Sequence, residues 1–511
     1  MPTTPPVSSF GSKAALFGIL LLGLALRVWT IDYGIPHTVG VDEPEIMRRA
    51  IGMMKSGDFN PHFFDYGGLT LYFHMAVASV RFAVGAMGAE PGFSSLERVW
   101  VGDFLLWARL VTALIGTLLI YVVFRAGLRW GMTVAIVAAF VTAIQPNLAR
   151  ESHYALTDTP LTFLVALALL VSLIAATEER LRWFIAAGIA VGLATAVKYN
   201  GVLALLMPLA VAATAASVRR RAVAAITVVA AAIVAFLFAA PYSVLDLPHF
   251  LDAFARLAAS YNQPRPALVI ADQYLSHLRN SFGLGLPSTH MMGWPALLLI
   301  LLGLGLMVGQ LRATDRRHAA LAVLIFTVVY VRMISHQSLV YARYYLPILP
   351  MLALAIGVAV AWLLQTAGRS TSPLVKRAVV AGLLLLAMLP IGNAARFNWD
   401  RRRTSTEEIA ARWLEKNIPP ADPILMEVGT IVLPPGFHWD YTHSLAGESV
   451  QSYRDRGLKY LVTSSEKFDP ARPGGPNTEA YREILRATQV LHVVPRSDET
   501  PGPTLTVLKI P

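Results

Sequence analysis

The sequence predicts a polytopic α-helical membrane protein of about eleven transmembrane helices, followed by a small C-terminal α/β soluble domain. Three observations lead there. Of the 511 residues, 55% are hydrophobic and only 15% charged, with a mean hydropathy of +0.54; an ordinary soluble domain is about a quarter charged. The apolar residues gather in runs long enough to cross a hydrocarbon core, which takes roughly 20 residues as a helix. From residue 396 onward these runs stop, and short strand-like segments between Pro-rich loops replace them.

In chain order the candidate spans are 14–31, 104–125, 131–148, 159–176, 183–197, 201–217, 222–240, 294–311, 318–334, 346–365 and 374–393. Lys13 followed by 14–26 has the charged and apolar regions of a signal peptide. The run continues through Val28, Trp29 and Ile31 without a small-residue cleavage site, so it is read as a retained first span. Arg125 with Arg129, the stretch ending at Arg182, Arg219–Arg221, Arg312 with Arg316 and Arg317, and Lys376 with Arg377 fall between alternate spans. Cytoplasmic loops are enriched in Lys and Arg, so all five clusters lie inside together and the C-terminal segment lies outside. Counting the apolar stretch 68–88 as a further span would invert every later loop. It also carries His74 and Arg81, and it is read as a helix lying at, or dipping into, the outer interface, the alternative being a real span with a compensating difference elsewhere in the count.

Two long outer segments result, 32–103 and 241–293, within a membrane module of residues 1–395. Residues 396–511 form the extracytoplasmic domain. There "TSTEEIAARWLEKNI" reads as an amphipathic helix with Ile409, Trp413 and Leu414 on one face. "ILMEV", "LKYLVTS" and "VLHVVP" read as strands, with a helix near 477–487. No internal repeat is visible, which counts against repeat-built transporter folds.

The net charge of +11 resides mostly in the short clusters between apolar runs. That pattern orients membrane proteins and meets anionic lipid rather than nucleic acid. The chain has no cysteine, which excludes disulfides, thiolate chemistry and Cys-ligated metal sites.

The first outer loop opens with "VGVDEPEIMRRAIGMMKSGD". Locally, Asp42 reads as an N-cap, Pro44 as a first-turn residue and Glu45 as the completion of a capping box. The other reading is catalytic, because a carboxylate pinned beside the membrane can take a proton from an acceptor hydroxyl. Asp158, in "ARESHYALTDTPLTF", admits the same pair of readings. Arg109, Lys198 and Arg343 stand near outer span ends, against the orientation rule. Each can snorkel to the interface, but three cations with two acidic loops at one face read better as a pocket for a phosphate beside a reacting hydroxyl. Tyr344 and Tyr345 are either phenolic donors to that phosphate or interfacial aromatics. Arg265, His277 and Arg279 of the second outer segment read as surface-loop cations. His438 and His443 carry no catalytic signal.

The acidic pair Asp42-Glu43, "ARLVTALIG" around Arg109, the acidic loop at Asp158, "VKYNG" and "RYYLPILP" occur in this order. The series resembles the GT-C glycosyltransferases that use polyprenyl-phosphate sugars, in the branch of protein O-mannosyltransferases and lipid A aminoarabinose transferases. It covers roughly residues 14–365. The resemblance implies inverting transfer of a single hexosyl or pentosyl unit on the outer face of a bacterial or archaeal cytoplasmic membrane. The donor would be a polyprenyl-phosphate-linked sugar and the acceptor a protein, glycan or lipid, with no metal and no cofactor. It makes Asp42 the acid that acts as general base or orients the acceptor, Glu43 its acidic neighbour and Asp158 the acid near the acceptor. Arg109, Lys198 and Arg343, with Tyr345, match positions around the carrier phosphate. "DYGG" at 65–68 departs from the Pro-rich stretch of many relatives. A transporter or flippase of a lipid-linked sugar is the alternative, but it would place its polar residues mid-span. A related oligosaccharyltransferase would want more acidic ligands and a larger soluble domain.

Overall fold

The computed structural model describes residues 9–37, 42–214, 217–281, 294–312, 315–468 and 477–511. The side chains of His277 and Arg279 lie outside the described set. The chain opens with helices α1 (Ser9–Val28), α2 (Glu43–Ser56), α3 (Gly68–Met87), α4 (Gly102–Gly127), α5 (Met132–Ile144) and α6 (Pro146–Glu151). Next come α7 (Asp158–Glu178), α8 (Leu181–Val197), a 3-10 turn Tyr199–Leu205, α9 (Leu206–Ala212), α10 (Val218–Ala239), α11 (Tyr242–Leu245), α12 (Leu247–Tyr261) and α13 (Ala267–Ser281). After α14 (Trp294–Gln310), α15 (Arg317–His336) and the 3-10 turn Ala342–Ile348, the membrane part closes with α16 (Leu349–Arg369) and α17 (Pro373–Asp400).

Among the described residues, eight helices are long and apolar enough to cross a membrane, and four more apolar helices are shorter. Each of the eleven expected spans falls on one of these twelve. The twelfth is α3, the stretch read as interfacial. It is a continuous helix of 20 residues that meets the same length and apolarity as its neighbours, so length does not set it apart from them.

The chain divides into two compact units. The first comprises Met1–Trp29, Phe59–Phe73 and Leu110–Phe397. Its centre is α16, packed between α5 and α14. In the span that α16 completes 89% of the residues are buried, against 11% in the span of α17. That contrast places α17 at the edge, with Leu384, Leu385 and Met388 exposed. Helices α8 and α10 pack closely because Gly188 and Gly192 have no side chains. A Cβ at either would strike the carbonyl of Val228 or Ala232. Small residues at such contacts let helix backbones approach where lipid offers no hydrophobic drive between helices.

The second unit comprises Thr30–Asp58, His74–Arg109 and Asn398–Pro511. Its C-terminal part holds α18 (Thr406–Asn417), strands β1 (Ile424–Glu427), β2 (Trp439–Thr442) and β3 (Tyr460–Ser464), helices α19 (Val450–Asp455) and α20 (Thr478–Ala487), then β4 (Gln489–Val494) and β5 (Leu505–Lys509). The sheet order is β2-β1-β3-β5-β4, with β1 parallel to β2 and β3, and β5 antiparallel to β3 and β4. Ala410, Ala411 and Leu414 of α18 are buried on it, with Ile409 and Trp413 partly so. The three expected strands and both helices are present; β2 and β5 are additions. Residues of the first loop belong to this unit directly. His37 exchanges backbone hydrogen bonding with Val432, whose amide donates to the His37 carbonyl at 3.0 Å, while His37 Nδ1 lies 3.0 Å from the Val432 carbonyl.

Candidate active site

Two acid–cation groups are built in the two units. In the second unit, Asp42 is the N-cap residue of α2, but its side chain makes no capping hydrogen bond. Pro44 opens the helix and Gly57 closes it with a left-handed φ of 72°, a conformation that suits glycine. Glu45 completes no capping box. It binds Arg48 and Arg49 at 2.7 Å each. Partial burial works against its ionisation, yet these two guanidinium groups hold the carboxyl below its ordinary value.

Glu43 turns inward and is fully buried. Arg109 Nε donates to one carboxylate oxygen at 2.8 Å and Nη2 to the other at 2.6 Å. Nη1 of the same arginine donates to the Ile31 carbonyl at 2.9 Å and the Tyr33 carbonyl at 2.7 Å. These bonds use four of the five N–H donors that a guanidinium has. Arg109 therefore neutralises Glu43 and ties the entry of α2 to the end of the preceding segment, leaving little capacity for an outside anion. His74, also buried, feels the charge of Glu43.

In the first unit, Asp158 is the first residue of α7 and its side chain is 3% exposed. The loop before it is fixed by His153, whose ring nitrogens lie 2.9 Å from the Ala149 carbonyl and 3.0 Å from that of Trp29. Lys198 caps the end of α8 in an extended conformation, φ −154°. From there its Nζ donates to Asp158 Oδ1 at 2.8 Å. Arg343 Nε stands 3.6 Å from Asp158 Oδ2. The ammonium of Lys198 lies 4.3 Å from the centre of the Tyr344 ring, and the Arg343 guanidinium 4.9 Å from that of Tyr341. Cations over aromatic faces are attracted by the ring quadrupole. The Tyr344 hydroxyl shares a 2.7 Å hydrogen bond with Tyr261, and Tyr330 donates to the Tyr344 carbonyl at 3.1 Å. One carboxylate thus faces two cations, whose side chains keep 19% and 20% exposure. Two partly exposed cations at one carboxylate can also donate charge-assisted hydrogen bonds to an anion.

The structure brings together Asp158, Lys198 and Arg343, and pairs Arg109, read from sequence with those cations, with Glu43 instead. Of the two tyrosines, Tyr344 meets the cations, whereas Tyr345 is buried in the bundle core. Arg265 donates to the Gln337 carbonyl at 2.9 Å. A further buried cation escaped the sequence reading. Arg27, inside α1, donates to the carbonyls of Ala143 and Thr142 at 3.0 and 3.1 Å, at the C-terminal end of α5 where a helix dipole favours positive charge. An arginine within an apolar run was the available signal. Among the described residues, no three His, Asp or Glu side chains converge as metal ligands.

A family model described as dolichyl-phosphate-mannose-protein mannosyltransferase matches residues 101–244, the segment holding Arg109, Asp158 and Lys198. No curated protein matches the chain by sequence. Among solved structures the chain is similar to ArnT from Cupriavidus metallidurans bound to undecaprenyl phosphate, at 17% identity and a TM-score of 0.58, covering 98% of each chain. It is also similar to the Archaeoglobus fulgidus oligosaccharyltransferase tethered with an acceptor peptide, at 13% identity and a TM-score of 0.59, covering 90% of this chain and 70% of that one. A third similarity is to the arabinofuranosyltransferase AftD from Mycobacteria, at 14% identity and a TM-score of 0.51, covering 99% of this chain and 42% of the other. The matched family and these neighbours are glycosyltransferases. The fold is that of the GT-C glycosyltransferases, as the sequence resemblance implied, in a multi-pass membrane protein with a small C-terminal sheet.

Proposed function

We propose that this chain transfers a hexosyl or pentosyl unit from a polyprenyl-phosphate donor to a hydroxyl of a protein, glycan or lipid, on the outer face of the cytoplasmic membrane. The observation that carries the reading is the convergence of two partly exposed cations, Lys198 and Arg343, on the carboxylate of Asp158. A phosphate fits beside two such cations. The ArnT neighbour is bound to undecaprenyl phosphate, and the archaeal oligosaccharyltransferase has been solved with a dolichol-phosphate, which supports a lipid phosphate as the ligand.

In the proposed reaction the acceptor oxygen attacks the anomeric carbon from the side opposite the phosphate, and configuration inverts. The acceptor proton passes to the carboxylate of Asp42. The bond from the anomeric carbon to the phosphate oxygen breaks, its electron pair stays on that oxygen, and polyprenyl phosphate leaves with one more negative charge. Lys198 and Arg343 stabilise that developing charge, and fixed cations in a water-poor site do so without reorganisation. Asp158 holds the two cations in place. Glu43 and Arg109 serve as positioning residues that set the entry of α2.

The test is transfer of labelled sugar from polyprenyl-phosphate donors by the purified full chain, comparing wild type with Asp42→Asn at matched folding. Loss of transfer with retained donor binding is the expected result. Equal transfer by both proteins would remove Asp42 from the chemistry. Donor binding by wild type without transfer from any donor of a broad panel would favour the transporter reading.

A further inference from the structure

The first unit contains a cavity of about 850 Å³ that has no part in the chemistry above. Its walls include Ala175 near the end of α7, Phe184 in α8, Val211 in α9 and Ala224 in α10. Asp158 begins α7, so Ala175 lies 17 residues further on, roughly 26 Å along a helix that rises about 1.5 Å per residue. The cavity therefore sits at the other end of the bundle from the Asp158 group, about one hydrocarbon thickness away. Its volume falls within the range of about 300–1,000 Å³ usual for small-molecule sites.

The rim differs in character from the walls. Ser217, Arg219 and Arg220 stand there at the start of α10, with Glu179 and His318 opposite. Glu179 pairs with Arg220 at 3.2 Å, which neutralises one charge. Arg219 has no ion pair among the described residues. Nδ1 of His318 is buried without a hydrogen-bond partner. An apolar chamber between membrane helices, with an unmatched cation and an unused imidazole nitrogen at its mouth, complements a molecule with a long apolar tail and an anionic head. The 22-residue α10 adds its positive dipole end at the same mouth.

We propose that this cavity binds an anionic phospholipid of the cytoplasmic leaflet, tail between α7, α8, α9 and α10 and phosphate against Arg219 and His318. Basic pockets between membrane helices on the cytoplasmic side are suited to such head groups. The occupant joins four helices at the end of the bundle remote from the Asp158 group, so its binding stabilises the folded chain, and more so at higher concentration.

The test uses the full chain in zwitterionic detergent, followed by native mass spectrometry and thermal unfolding. The titrants are phosphatidylglycerol, phosphatidylcholine with the same acyl chains, undecaprenyl phosphate and inorganic phosphate. The expected result is at least tenfold tighter retention of phosphatidylglycerol than of phosphatidylcholine, with a raised midpoint of unfolding. Arg219→Gln combined with His318→Gln abolishes that preference. Val223→Trp, at the cavity wall, blocks retention of both phospholipids and keeps the proposal testable if the double variant does not fold. Equal retention of the two phospholipids, or a preference unchanged in either variant, would overturn it. Displacement of phosphatidylglycerol by undecaprenyl phosphate at far lower concentration would make the carrier lipid the occupant instead. Complete displacement by inorganic phosphate would reduce the site to a free-phosphate site.

Discussion

Glu43 and Asp158 each occupy the first residue of a helix, one in each unit, and each meets arginine or lysine, but the two arrangements differ in what remains. Glu43 and Arg109 match one charge with one, in a bidentate geometry with side-chain exposures of 0% and 2%. Nothing is left over. Asp158 meets two cations, Lys198 and Arg343, and both keep part of their side chains exposed. A closed pair fixes the backbone; an open cluster is available to a ligand. Glu407 extends the comparison. It lies in the first turn of α18 and is buried, and among the described residues no cation pairs with it. Burial, with the nearby charge of Glu466 acting in the same direction, pushes its carboxyl up to about 7 against its hydrogen bonds.

The largest effect should come from breaking the closed pair. Arg109→Met leaves a buried carboxylate without its cation, and such losses cost about 3–5 kcal/mol. Thermal unfolding of the purified protein should show it. Glu43→Leu added to Arg109→Met should return most of that stability, because a buried ion pair can be replaced by apolar packing.

Glu407 should give the next largest effect, visible only as a pH dependence. Its folded-state pKa is raised, so the stability it contributes is fully present below the unfolded value and is lost as pH rises through about 7. A shift of this size corresponds to roughly 3.5 kcal/mol at most, at about 1.4 kcal/mol per pKa unit. Unfolding between pH 5 and pH 8 should show wild type losing stability, with Glu407→Gln flat across that window. The open cluster should give the smallest change in stability. Lys198→Gln should cost about 1–2 kcal/mol, because Arg343 stays beside Asp158 and water reaches both cations.

The same contrast governs what could be read from sequence. Apolar runs report helices directly, and every expected span corresponds to one, because hydrophobic length is a property of contiguous residues. Asp158, Lys198 and Arg343 were legible for a related reason: each is a charge at the end of an apolar run, where topology already places it on one side. The pairing of Glu43 with Arg109 was not legible. The partners are 66 positions apart, and both local patterns also fit other roles, a catalytic acid and a phosphate cation. Strands β2 and β5 were missed for want of pattern. Trp439–Thr442 has one exposed and three half-buried residues rather than an alternation, and Leu505–Lys509 follows a Pro-Gly-Pro turn near the chain end. That residues 30–58 would pack with the C-terminal sheet, through His37 and Val432, depends on contacts that no local signal encodes.

The central claim is that the open cluster, and not the closed pair, receives the carrier phosphate. Equilibrium binding of undecaprenyl phosphate to the full chain tests it most directly, comparing wild type, Lys198→Gln, Arg343→Gln and the Glu43→Leu, Arg109→Met double variant. Binding is expected to weaken at least tenfold in each of the first two variants and to stay within about threefold of wild type in the double variant, tenfold being about 1.4 kcal/mol. Unchanged binding in Lys198→Gln and Arg343→Gln, or its loss in the double variant with the fold intact, would contradict the claim.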